Sequence, residues 1–161
     1  MSNVLKLLEI LKKDQECKIY PPDGIPVIKA GLKMPDDLRD FYEICGGVEL
    51  FPEKEYGFTI LSPKDITLAN PIIIGELCEE DISSTWYVLC KDRNENYITI
   101  DMDKKRLGRC YDSFWDRHGV VGECPIVAMS FTELLMSLLT QKGEKLFWLE
   151  KDFEYLGDAY D

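Results

Sequence analysis

Histidine is nearly absent from this chain, occurring once in 161 residues at His118. No H-E-x-x-H helix, P-loop or dinucleotide-binding glycine motif occurs, so the common zinc-hydrolase, nucleotide-hydrolase and dehydrogenase signatures are missing. No G-x-S-x-G elbow is present either. The six cysteines, Cys17, Cys45, Cys78, Cys90, Cys110 and Cys124, contain no C-x-x-C pair, and that spacing argues against a zinc site or a redox motif. Apolar runs are short. The longest amphipathic stretch near the start, Val4 to Leu11, is broken by Lys6 and Glu9 and lacks a small-residue cleavage site, so it reads as a helix and not as a signal or membrane segment. Repeats, low-complexity tracts and a convincing linker are also missing.

Basic residues are scarce as well. Thirty acids against nineteen bases give a formal charge of -11, which repels nucleic acid and anionic membranes and attracts a basic protein. Direct nucleic-acid or membrane binding is therefore not expected. A hydrophobic fraction of 45% in 161 residues is enough for one sizeable core, so the expectation is a single domain over residues 1–161. With no export signal in view, the chain is expected in the cytoplasm, where its thiols stay reduced and buried.

Periodicity supplies the elements. Asp36 and Asp37 after Pro35 open a helix with Leu38, Phe41, Tyr42 and Cys45 on its apolar face, and Gly46 is expected as its left-handed C-cap. Near the C-terminus, Ser130 and Glu133 form a capping-box pattern ahead of Phe131, Leu134, Leu135, Leu138 and Leu139. A further helix is expected after Gly143, over Leu146 to Phe153. Between them the pattern changes to strands: Val48 to Phe51, Tyr56 to Leu61, Pro71 to Ile74, Thr85 to Cys90, Tyr97 to Ile100 and Leu107 to Tyr111. Polar loops at 91–96 and 101–106 turn the last three into a meander, which favours antiparallel pairing over a doubly wound sheet. The fold expected is α+β, with a mostly antiparallel sheet packed against N- and C-terminal helices.

The run Met34, Pro35, Asp36, Asp37, Leu38, Arg39, Asp40, Phe41, Tyr42, ending in Gly46 and Gly47, resembles the LP-x-x-L-x-x-F-Y…GG signature of the SUKH superfamily. That superfamily groups fungal cell-wall regulators of the Smi and Knr type with bacterial immunity proteins. Asp101, Gly108, the Cys110, Tyr111, Asp112 corner and the helix begun by Ser130 and Phe131 follow in the family's order. Cys45 stands where the family often has asparagine before its glycines. The resemblance implies a SUKH-like domain whose role is to bind and neutralise a cognate toxin, of nuclease type. A regulatory scaffold of the fungal kind is the alternative it allows.

Enzymatic readings find little support. His118 lies near Ser113 and Cys110, but nothing in the spacing builds a triad, and as a loop residue it is expected to tolerate His118→Ala at little cost, as is Ser113. A small hydrolase using His118 remains the enzymatic alternative. Asp101, Asp103 and Asp112 suggest a calcium loop only until Lys105 and Arg106 are read at positions that need a ligand and a glycine. No metal and no cofactor is expected. What remains is a surface of acids and aromatics: Glu49, Glu53 and Glu55; Glu79, Glu80 and Asp81; and Asp112 with Asp116 around Phe114 and Trp115. Two arrangements fit the last group. Phe114 and Trp115 either cover the sheet beside solvated acids or form an exposed hot spot for a basic partner.

Overall fold

In the computed structural model, which describes residues 3–161, seven strands form one sheet in the order of the chain, every neighbouring pair antiparallel. The strands are β1 (Cys17–Ile19), β2 (Val48–Leu50), β3 (Phe58–Ile60), β4 (Trp86–Lys91), β5 (Tyr97–Asp101), β6 (Cys110–Ser113) and β7 (Ile126–Ala128). Four helices accompany them: α1 (Asn3–Lys12), α2 (Asp36–Ile44), α3 (Ala69–Ile73) and α4 (Phe131–Gln141). The fold is α+β, as expected, with a single connected core.

Helices α1, α2 and α4 pack on one another as a layer. Phe41 sits at its centre, edge-on to Tyr42 at 4.9 Å and to Phe131 at 5.0 Å between ring centroids. The apolar positions of the SUKH-like run, Met34, Leu38, Phe41, Tyr42 and Cys45, are all buried there. Half of the capping box forms: Ser130 Oγ accepts from the Glu133 N–H at 3.1 Å, while the Glu133 carboxylate accepts from Met129 N–H at 2.9 Å, one residue before the cap. Asp37 reinforces it from α2, its carboxylate accepting from Thr132 N–H at 2.9 Å and Thr132 Oγ1 at 2.8 Å. One acid thus fastens two helix starts that lie 95 residues apart.

The glycine pair has a steric origin different from the expected cap. α2 ends in extended backbone at Cys45, and Gly47, not Gly46, has the positive φ, at 117°. The chain leaving β1 exchanges hydrogen bonds with the pair, Gly46 N–H to Tyr20 O at 2.9 Å and Tyr20 N–H to Gly47 O at 3.0 Å. A Cβ on Gly46 would lie 2.3 Å from the Pro21 carbonyl oxygen. Only glycine lets the proline-rich connection approach this closely.

Three expected segments form differently, and strands β1 and β7 were not expected. Pro71 to Ile74 is not a strand but part of α3, where Pro71 falls in the first turn and needs no N–H. The strand expected from Leu107 starts at Cys110, because Gly108, at φ 86°, completes a turn in which its N–H bonds Asp101 O. The helix expected over Leu146 to Phe153 contracts to one 3-10 turn, Phe147–Leu149. Consecutive Phe147 and Trp148 are both buried there, and Trp148 points its indole N–H at a sheet carboxylate. Continuous α-helix would swing one of them away from the core.

Gly46→Ala is expected to destabilise the fold by about 1–3 kcal/mol, read from urea unfolding, because the methyl group meets rigid backbone. An unchanged midpoint would mean that the approach of Pro21 relaxes freely.

Candidate functional site

One sheet face carries Trp86, Thr99, Asp101, Tyr111 and Ser113, which the register brings together across β4, β5 and β6. Trp86 stacks on Tyr111 with centroids 4.2 Å apart and meets the rings of His118 and Tyr160 edge-on. Asp101 is fully buried and collects donors from Thr85 Oγ1, Asp103 N–H, Tyr111 Oη and Arg106 Nε at 2.6–3.0 Å. Arg106, which also lies 3.5 Å from Asp103, supplies the positive charge that this acid pair needs.

The β6–β7 loop springs from a second buried carboxylate. Asp112 accepts from Phe114 N–H at 3.2 Å, Arg117 Nη1 at 2.6 Å and Trp148 Nε1 at 2.9 Å. Burial nevertheless prevails over these partners and holds its pKa above the usual carboxylate value. Asp112 is therefore inside the protein and cannot steer a partner in the way its sequence context suggests. Phe114 is also inside, edge-on to Trp148 at 6.0 Å and covered by the Arg117 guanidinium at 5.1 Å. The next two residues point outward. Trp115 is 79% exposed and so does not cover the sheet, and Asp116 is exposed beside it.

His118 closes the same loop from within. It is buried, and its Nε2 lies 2.6 Å from Asn70 Oδ1 on α3, an acceptor, so the proton belongs on Nε2. Asn70 also donates to Ser83 Oγ at 3.0 Å and to Leu77 O at 3.3 Å. Burial pushes the imidazole down from 6.5 to about 4, against the weaker pull of the Asp81 charge. Ser113 Oγ pairs with Thr99 Oγ1 at 2.7 Å, and both hydroxyls are buried. His118 and Ser113 are thus internal positions, so the expected tolerance of His118→Ala and Ser113→Ala does not hold for stability.

The acidic clusters separate in space. Asp81 is half-buried and capped by Ser83 N–H at 3.0 Å, Ser83 Oγ at 2.6 Å and Tyr160 Oη at 2.7 Å. Although burial opposes it, this bonding holds Asp81 below its usual pKa. Its neighbours Glu79 and Glu80 are exposed. Through Tyr160 and Asn70 this second cluster joins the Trp115 loop. The first cluster does not. Glu49 on β2 is half-buried and accepts from Tyr20 Oη at 2.5 Å, while Glu53 and Glu55 stand exposed on the β2–β3 turn. β2 lies four places from β6 in the sheet, about 19 Å at roughly 4.8 Å per strand. Sequence reasoning missed the exposed apolar residues Ile74, Leu77 and Val121, 47%, 51% and 73% accessible. Their isolation between glycines and acids was the available signal.

A cavity of about 530 Å³ lies between the Tyr20, Pro21, Pro22 segment and β3, with Lys64 and Lys91 at its walls. All six cysteines are free thiols, and burial pushes those of Cys45, Cys90, Cys110 and Cys124 up, which keeps them unreactive. Among the described residues no group of three metal-ligating side chains converges, and no helix is long and apolar enough to cross a membrane.

Residues 29–137 match the SMI1/KNR4 family (SUKH-1). This chain belongs to that family. The family residues quoted from the sequence, Leu38, Phe41, Tyr42, Gly46 and Gly47, are those that pack α2 and admit the Tyr20 backbone. The chain is also 48% identical, over 96% of its length and 94% of the relative's, to the Immunity protein YokJ of Bacillus subtilis (strain 168). No solved structure gives a significant match.

The buried imidazole fixes a pH dependence. His118 has a folded pKa below its unfolded value, so its contribution is full above pH 6.5 and is lost as pH falls toward about 4. The whole span amounts to on the order of 3 kcal/mol. Thermal unfolding of the wild type should therefore lose stability between pH 6.5 and 4.5 more steeply than that of His118→Gln, which keeps a neutral amide against Asn70. Equal slopes would place the acid sensitivity elsewhere. At neutral pH, Asp112→Ala is expected to cost about 3–5 kcal/mol in chemical denaturation, because Arg117 and Trp148 lose their common acceptor.

Proposed function

We propose that this chain is a cytoplasmic immunity protein that binds and neutralises a cognate basic toxin domain of nuclease type. The observation that carries the reading is the 48% identity, over nearly the full length of both chains, to a protein named for immunity. The formal charge of -11 supports a cationic partner. Inhibition of this kind needs occupancy of the toxin and no chemistry by the inhibitor. In the bound state Trp115 supplies desolvated contact area, while Glu79, Glu80 and Asp116 complement positive charge around it. Asp81, Asp112 and Phe114 act from beneath by holding the loops that present them. Glu49, Glu53 and Glu55 add to the long-range field from another part of the surface.

The reading is tested by co-expressing the chain with the toxin encoded beside its gene and scoring survival. Rescue is expected, and cell death at full expression of a folded protein would reject it. With the purified pair, association should slow markedly between about 0.05 and 0.5 M salt, as the screening length shrinks from roughly 14 Å to roughly 4 Å. Trp115→Ala should weaken binding by about 2 kcal/mol and leave the melting temperature nearly unchanged, since the ring is exposed. Undiminished affinity would remove Trp115 from the interface.

A further inference from the structure

Two segments far apart in sequence, the α3 region at 70–83 and the β6–β7 loop at 114–124, are held as one surface. The fastening is internal: His118 Nε2 to Asn70 Oδ1 at 2.6 Å, both side chains buried. At the surface above it, the backbone of Gly119 lies against Ile74, whose Cδ1 would be 3.8 Å from a Cβ at that glycine. Asn70 additionally holds the Leu77 carbonyl, and Tyr160 Oη holds Asp81. Exposed apolar side chains lie on both segments: Ile72, Ile74 and Leu77 on the first, Trp115, Val120 and Val121 on the second. Glu76, Glu79, Glu80, Asp116 and Glu123 are exposed on the same two segments. Their one basic residue, Arg117, is occupied by Asp112 at 2.6 Å.

We infer that the α3 region and the β6–β7 loop form a single docking face for the cationic toxin domain, with Ile74, Leu77 and Val121 as its apolar centre and the five carboxylates as its rim. This inference rests on the proposed function and names the surface that performs it. An apolar centre ringed by charge of one sign excludes water at contact and selects a partner with apolar anchors inside a basic border. Charge complementarity commits the occupant. An anionic partner would meet five unneutralised carboxylates, and a second copy of this chain would meet the same rim and be repelled. The exposed acids of the β2–β3 turn lie outside the face, and so does the cavity beside Lys91.

The test uses the full chain and the adjacent-gene toxin, inactivated so that it can be produced. Ile74→Asp and Val121→Asp place charge at the apolar centre on exposed positions, and Met136→Asp places it on the equally accessible outer side of α4. The two face variants are expected to bind at least tenfold more weakly with unchanged melting temperatures, and the α4 variant to bind as wild type. Hydrogen exchange on the wild-type complex should show protection in 70–83 and 114–124 and none added in 51–57. Protection centred instead on 20–23 and 59–65, or full affinity in both face variants, would overturn the inference while leaving the immunity reading intact. A wild-type chain that neither binds nor neutralises the toxin would overturn both.

Discussion

The carboxylate of Asp112 is the constraint on which the candidate face of this molecule depends. It lies on β6 without solvent and gathers a loop amide, the Arg117 guanidinium and the Trp148 indole on two oxygens. A buried charge is costly unless its lone pairs are filled, so each partner is held as firmly as it is needed. Arg117 fixes the turn that presents Trp115, and Trp148 fixes the segment after α4 against Phe58 and Phe114. Asp101 does the same work on β5, binding Thr85, Tyr111 and Arg106. Removing either acid leaves a buried donor unpaired, the Tyr111 hydroxyl or the Trp148 indole N–H, which is why neither position behaves as a surface charge.

These internal acids barely alter the charge that a partner meets. Asp101 is matched by Arg106 and Asp112 by Arg117, so each pair withdraws one acid and one base together. Asp158, also buried, is met by backbone N–H groups of Gly122, Cys124 and Tyr160. The negative excess therefore resides at the surface, where it acts at a distance. Composition was a sound guide to the sign of that surface charge. It was a poor guide to which acids lie at that surface, because an acid in a pattern of aromatics reads the same whether it is solvated or paired.

The legible parts of the fold were those where periodicity and side-chain chemistry agree. α1, α2 and α4 could be read from their apolar stripes, and α4 also from Ser130 and Glu133, whose hydroxyl and N–H bond as an N-cap requires. The β4–β6 meander followed from two polar loops and the absence of crossovers. The failures occurred where tertiary contacts overrule local preference. Pro71 to Ile74 reads as a strand, yet Asn70 is held by His118 from a loop 48 residues away. Leu146 to Phe153 has helical spacing, but Trp148 is drawn to Asp112. Both hidden contacts run through a buried polar atom, whose partner no local pattern specifies.

The same contacts explain why the candidate site was only half visible. Trp115 and Asp116 could be singled out from composition, as could Glu79 and Glu80, but nothing in the sequence joined the two groups. His118 joins them. A solitary histidine in an acidic loop invites a catalytic interpretation, and its Nε2 is instead committed to an amide on α3. Burial keeps the ring neutral, so the fastening places no charge beneath the loop. A rigidly presented face loses little conformational freedom on association, and its affinity can then rest on a few apolar anchors while the acid rim governs the rate of encounter.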